Sequence, residues 1–276
     1  MKTLHAATVA VALTMLIAPH AFPQDEELGL LEQVKWQEGP SIGSLGHIAE
    51  IRVPAGHVFA DGDDTRRLME AMHNPTGGNE LGFVAPATLD WFMVFEFDDV
   101  GYVRDDEKDS LDADAMLRSI KAGNEAANKE RIRRGWAPLH ITGWEQPPRY
   151  NQTTHNLEWA IRGESDGEPV VNWNTRLLGR GGVMRVTLVT DPGSLHSILP
   201  LYNQRVADFS FRQGHRYAEW RQGDKMAKYG LSALVVGGAT AVAVKSGAAK
   251  WLWKMIVVGF AAVAAFFKKL FSRKKG

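Results

Sequence analysis

The sequence predicts an α+β fold: a mainly antiparallel sheet with helices packed on one face, plus a C-terminal transmembrane helix. Three observations predict it. Short β-rich runs are separated by polar turns, so the connections are local and the strands antiparallel. One long amphipathic segment and two shorter ones supply the helices. Residues 231–276 hold eight bases, no acid and two apolar runs, as a membrane-directed end would.

Residues 1–24 read as a signal peptide. Lys2 precedes a 13-residue apolar stretch over 6–18. That stretch is too short to span a bilayer, and Ala21 lies near a plausible cleavage point. An exported domain over 25–230 follows. Residues 47–53 alternate apolar and polar and stop at Pro54, as a strand does. Residues 65–72 place Leu68, Met69 and Met72 at helical spacing, with Asp63 or Asp64 available as cap. Residues 91–97 are aromatic-rich and read as a buried strand.

The longest helix is expected over 111–134. Met116, Leu117 and Ile120 trace its apolar face, and Gly135 is its stop signal. Asp112 and Asp114 at its start and Arg131, Arg133 and Arg134 at its end complement the helix dipole. Strands are expected over 156–162, 169–178 and 183–190, with Gly179, Arg180, Gly181 and Gly182 as a hairpin loop. Asp191 and Pro192 read as N-cap and first residue of a helix running to about residue 203. Residues 207–212 close the domain as a strand.

Residues 231–250 read as a membrane-proximal apolar helix, whose Gly237, Gly238, Ala239 and Ala241 would permit self-association. Residues 251–267 form a 17-residue run, about 25 Å as helix, expected to be a transmembrane anchor. Trp251 and Trp253 supply an interfacial belt and Lys254 snorkels toward the headgroups. Residues 268–276 form a basic tail that begins with Lys268 and Lys269 and stays cytoplasmic by the positive-inside rule. The expected location is the inner membrane, single-pass, with the main domain outside the cytoplasm and the C-terminus inside. The lipid bilayer is thus one partner. The signal peptide demands the same orientation independently.

Charge and composition exclude several classes. The chain is formally neutral, but residues 25–230 carry 23 bases against 32 acids. A mildly acidic body argues against nucleic-acid binding. Zero Cys excludes a thiol nucleophile, a cysteine zinc site and any disulfide.

The stretches GFVAPATLDWFMVFEFDDVGYVRDDE from Gly82, NEAANKERIRRGWAPL from Asn124, GWEQPPRYNQTTHNLEW from Gly143, VNWNTRLLGRGGVMRVTLVTDP from Val171 and YGLSALVVGGA from Tyr229 occur in order. On these the chain resembles a family of bacterial membrane-anchored proteins carrying a domain of unknown function, across most of residues 30–270. The resemblance implies export, one exterior domain and a C-terminal anchor, and brings no activity or catalytic residue. The last hairpin–helix–strand stretch also resembles, as a fold analogy, the PsbP-like sandwich of photosystem extrinsic subunits.

Four constellations merit weighing. Glu96, Asp98 and Asp99 head an acidic stretch that reads as paired carboxylates, as a cation site, or as a solvated turn before a helix start. Nine scattered His include His140 and His155, which flank a hairpin, but no metal-binding spacing; no metal and no cofactor are expected. Ser44 and Ser194 lack a nucleophile elbow, and the Gly179–Gly182 turn lacks the lysine and following helix of a P-loop. Trp159 and Trp173 fall on adjacent strands and, with Asn174 and Arg176, suit either a glycan- or peptide-binding face or a packed core. The leading expectation is a partner-binding or scaffold protein of the cell envelope. The alternatives are an envelope hydrolase using the clustered carboxylates and a small-ligand binder using exposed Trp.

Overall fold

The computed structural model describes residue 31 and residues 33–237. The elements are, in order, β1 (Gln37–Glu38), β2 (Ser41–Leu45), β3 (Ala49–Val53), β4 (His57–Asp61), α1 (Gly62–Ala71), β5 (Glu80–Pro86), β6 (Phe92–Asp98), α2 (Ala113–Arg133), β7 (Leu139–Asn151), β8 (Asn156–Ser165), β9 (Glu168–Leu178), β10 (Val183–Thr190), α3 (Leu195–Ala207), β11 (Phe209–Phe211) and α4 (Leu231–Val236). Eight strands form one antiparallel sheet in the order β1–β4–β5–β6–β10–β9–β8–β7. A second, three-stranded sheet runs β11–β3–β2.

The central strands β6, β9 and β10 are largely buried on both alternations, so both faces of the large sheet are covered. Met93, Phe95, Trp173, Leu177, Met184, Val186 and Leu188 point one way. They pack against Leu45, Ile51 and Val53 of the small sheet and against Leu195, Ile198 and Tyr202 of α3. On the other face, Phe92, Val94 and Val189 meet Leu68 and Met69 of α1. Beside them, Trp159, Ile161, Leu178 and Val183 meet Met116 and Ile120 of α2 and Leu231, Leu234 and Val235 of α4. The expectation of helices on one face is therefore corrected: α3 lies on the opposite side, with the small sheet.

Local chemistry explains where elements begin. α1 is capped by Asp61, whose carboxylate accepts from the Asp63 and Asp64 amides, both at 3.0 Å. Asp64, expected as a cap, is instead buried and accepts from the Lys35 amide. Asp112 caps α2 by accepting from Ala115 N at 2.9 Å, and Gly135 follows its end with φ +75°. Asp191 does not cap α3; it accepts from Gly193 N at 2.7 Å in a turn, and the helix starts after Ser194. The residues expected as one strand over 47–53 form the end of a β2–β3 hairpin. The β9–β10 hairpin closes between Leu178 and Val183 as expected. Gly182 is required there, because a Cβ would lie 2.1 Å from the Asp98 carbonyl oxygen.

Residues 212–230 form a strap laid across that hairpin. Arg180 donates from Nε and Nη2 to the two carboxylate oxygens of Asp224, each at 2.7 Å. Tyr102 N donates to Lys225 O, and Ala227 N donates back to Tyr102 O. The strap delivers α4, where Ser232 N donates to Glu107 Oε2 at 2.9 Å. The first six residues of the apolar run beginning at Leu231 thus pack into the body of the domain. No helix of the described residues is long and apolar enough to cross a membrane. The signal segment 1–24, the rest of the run to 250, the anchor 251–267 with Trp251, Trp253 and Lys254, and the tail with Lys268 and Lys269 lie outside the described residues.

Candidate functional site

Strand β9 supplies the site. Its sequence places Asn172, Asn174 and Arg176 two apart, so all three project to the face covered by α1, α2 and α4. Trp159 on β8 is opposite Asn174 and shares that face. Trp173 is opposite Ala160, one residue out of phase, and points to the other face. The two tryptophans therefore do not pair, and neither is exposed: Trp159 is at 0% and Trp173 at 6%. Of the two expectations for these tryptophans, the packed core is the one the structure has, and the exposed binding face is not. The register leaves three of the four expected ligand residues, Trp159, Asn174 and Arg176, together on one buried patch.

A row of charge crosses this patch. Glu80, Glu96, Arg185 and Arg176 are successive cross-strand neighbours on β5, β6, β10 and β9. Arg185 Nη2 donates to both oxygens of Glu96 at 2.9 Å, and its Nη1 lies 3.6 Å from Asp98. Glu80 accepts from Gly77 N and Gly78 N at 2.7 and 2.9 Å. Burial pushes the Glu96 carboxyl above its ordinary range, against the pull of Arg185.

Arg176 differs from its neighbours. It is 2% exposed, and its guanidinium lies 4.5 Å from the centre of the Trp159 ring. Nη1 donates to Thr175 O at 3.2 Å, and among the described residues no carboxylate stands within 4 Å of it. Burial, then the facing charge of Arg185, pulls its pKa down to about 9. On the same face, Trp159 Nε1 and, four residues back along β9, both amide atoms of Asn172 are buried without hydrogen-bond partners. Asn174 Nδ2 donates to Asn172 O at 3.3 Å. Sequence reasoning passed over Arg185 and Glu80. The N-x-N-x-R alternation inside an apolar strand is the signal that points to such a patch.

The other candidates have local partners. Asp99 turns to solvent and takes Lys225 at 3.2 Å, so it does not join Glu96 and Asp98. Asp105 accepts from the Tyr150 hydroxyl at 3.1 Å. His140 pairs with Glu125 at 3.0 Å, and His155 meets Tyr150 at the far end of the same hairpin, so the two His do not meet. Ser44 Oγ donates to Gly46 O. Arg180 is engaged by Asp224, so the glycine turn is a hairpin and not an anion cradle. Among the described residues no three His, Asp or Glu are grouped to hold a metal.

A family model for proteins of unknown function, DUF2167, matches residues 37–268. The chain belongs to this family. The DUF2167 match takes in every strand of both sheets, the strap and α4, and continues past the described residues into the apolar C-terminal run. No curated protein matches the chain. Among solved structures it is similar to the solution structure of cyanobacterial PsbP (CyanoP) from Synechocystis sp. PCC 6803. Identity is 11% and the TM-score 0.38, over 65% of this chain and 92% of that one.

A second, open feature lies at the strap. Tyr102 stacks on Tyr217 with ring centres 4.5 Å apart, and Trp220 leans on Tyr102 at 5.7 Å while remaining 42% exposed. A cleft of about 370 Å³ lies at the end of the strap, lined by Arg104, Asp106, Glu107, Lys228 and Tyr229.

Proposed function

We propose that this DUF2167 protein is a membrane-tethered exterior domain of the cell envelope that binds a protein partner through its strap. The tether would be a single C-terminal span in the inner membrane, with the basic tail in the cytoplasm. Three features support it: the apolar N-terminal stretch, the acid-free C-terminal end, and the charge zoning between them. One observation carries the binding site. Half-exposed Tyr102, Tyr217 and Trp220 sit beside a cleft that holds both charge signs, immediately before the chain enters its apolar run. Tyr, Trp and Arg are the residue types enriched in interface cores. The hydrolase alternative lacks geometric support, because Arg185 and Lys225 take the carboxylates it needs.

A photo-crosslinking residue at position 220, in the full-length chain in native membranes, tests the surface. The same residue at exposed Ile132 on α2 serves as control. The expected result is one discrete protein adduct from position 220 and none from 132. Equal or absent crosslinking at both positions overturns the strap as the binding surface. A C-terminal reporter that is active only in the cytoplasm tests the orientation; an inactive reporter overturns it.

A further inference from the structure

We propose that the cleft at the end of the strap holds the headgroup of a membrane aminophospholipid, a phosphate diester joined to a primary ammonium. The proposal rests on the membrane tether of the preceding reading and not on its protein partner. The cleft, of about 370 Å³, has two walls. Arg104, Asp106 and Glu107 come from the segment after β6, and Met226, Lys228 and Tyr229 from the end of the strap. Tyr102 N donates to Lys225 O at 2.8 Å and Ala227 N donates to Tyr102 O at 2.9 Å, which fixes the spacing of the walls. Glu107 is committed. It accepts from Ser232 N, and Gly230 packs so closely on it that a Cβ would lie 2.7 Å from the carboxyl carbon. Arg104, Asp106 and Lys228 are exposed, and their side chains make no hydrogen bond or ion pair among the described residues. The nearby strap bases Arg212 and Lys225, by contrast, take Glu50 and Asp99.

One open cleft thus presents both charge signs, unpaired, and a zwitterion matches both. Two cations, one from each wall, suit a single phosphate diester, which a guanidinium grips through two oxygens. Asp106 accepts from an ammonium, and together with Glu107 it counts against a second negative charge. Partly buried Met226 and Tyr229 offer apolar surface to a glycerol backbone. Location selects a lipid as the source. Lys228 and Tyr229 lead directly into Leu231 and the apolar run. The strap over 212–230 carries five bases against two acids, although the body beneath it is acidic. Basic segments beside a membrane are drawn to its phosphates. Trp251, where the expected anchor begins, follows Gly237 by fourteen positions, so even a fully extended chain keeps the end of α4 within about 50 Å of the bilayer. Such a tether raises the effective concentration of headgroups at the cleft.

The full-length protein is placed in vesicles of equal parts phosphatidylethanolamine, phosphatidylglycerol and phosphatidylcholine, and native mass spectrometry counts the lipids that stay bound on release. Wild type is compared with the double variant Arg104→Gln, Lys228→Gln and with Asp106→Asn. All three positions are exposed and unpaired, so both variants should melt as wild type does. The apolar run holds lipid alike in all three proteins, and the site is read as the difference between them. The expected result is one extra phosphatidylethanolamine per wild-type chain, favoured about tenfold or more over phosphatidylcholine, the fold-change of one charge-assisted hydrogen bond. The double variant should lose this lipid, and Asp106→Asn should keep a lipid but lose the preference. No extra lipid, equal retention by the double variant, or phosphatidylglycerol winning over phosphatidylethanolamine overturns the proposal. A wild type that does not enter the vesicles refutes the tether, and soluble headgroups then decide the cleft. A saturable rise in melting temperature of the full-length protein with glycerophosphoethanolamine and not with glycerol phosphate, absent from the double variant, supports it. No such rise overturns it.

Discussion

Replacing Leu231 with Ala should undock α4 while leaving the sheet intact. α4 has six residues, too few to be stable by its own hydrogen bonds. It is held by burial of Leu231, Leu234 and Val235 against Met116, Ile120 and the β8 face. Three such side chains contribute about 7 kcal/mol. The Glu107 carboxylate on Ser232 N adds about 1 kcal/mol. Ordering six residues costs about 9 kcal/mol at roughly 1.5 each. The two sides balance to within about 1 kcal/mol, so α4 has little reserve. Leu231→Ala removes about 3 kcal/mol, which shifts docking roughly 100-fold toward the open form. Hydrogen exchange on the full-length protein measures this directly. Because the reserve is within about 1 kcal/mol, amides over 232–236 are protected less than about tenfold in wild type; in Leu231→Ala they should lose that protection and exchange at the free rate, while those of β9 and β10 keep theirs. If α4 stays protected and only the global melting temperature falls, α4 is an inseparable part of the core and this reasoning fails.

Three further outcomes are expected. Gly182→Ala should cost about 3 kcal/mol in chemical denaturation, because its Cβ meets the Asp98 carbonyl at 2.1 Å; an unchanged midpoint would show that the hairpin shifts freely. Arg185→Met should cost about 3 kcal/mol at neutral pH by stranding Glu96 and Asp98. Because the folded Glu96 carboxyl is raised above its unfolded value, its stabilising contribution is present below the ordinary carboxylate pKa and is lost as pH rises through the raised one. Denaturation in acid should therefore show a smaller deficit for Arg185→Met than at pH 7; a deficit independent of pH would mean Glu96 is not what the arginine serves. Asp224 is held down to about 2 by Arg180, so its contribution is present at neutral pH and lost only as pH falls through about 2. Limited proteolysis should leave the strap over 212–230 uncut across the acid range in wild type and cut it readily in Arg180→Ala; equal cutting would show that the pair does not hold the strap.

Elements with strong local chemistry were legible in advance. The long helix was marked by the Asp112 cap, the apolar face through Met116 and Ile120, and the Gly135 stop, all of which act within a few residues. The β9–β10 hairpin was marked by its glycine turn. The strands β2, β4, β5 and β7 were not foreseen. β2 and β4 are only five residues long, β5 is an apolar run without a two-residue alternation, and β7 bears mostly polar residues on an edge, so their own pattern does not mark them as strands. The site was half legible. Trp159, Asn174 and Arg176 stand out as types, and a packed core is one of the two readings of the tryptophans; the burial of Asn174 and Arg176 with them is not legible. Trp173 looked equivalent to Trp159 until the register put it one residue out of phase.

What the sequence by itself determined is therefore local and compositional: the charge zoning, the caps and turns of the long helix and the hairpin, and the alternation that sends Asn172, Asn174 and Arg176 to one side of β9. Each depends on neighbours within a few residues or on totals along the chain. Tertiary structure alone decided which face was covered, that Glu96 would meet Arg185 from 89 residues away while Arg176 would not, and that Glu107 would receive α4 from 125 residues away. Those pairings follow from strand order and register. A shift of one residue reverses every side chain on a strand, and only the assembled sheet specifies that register.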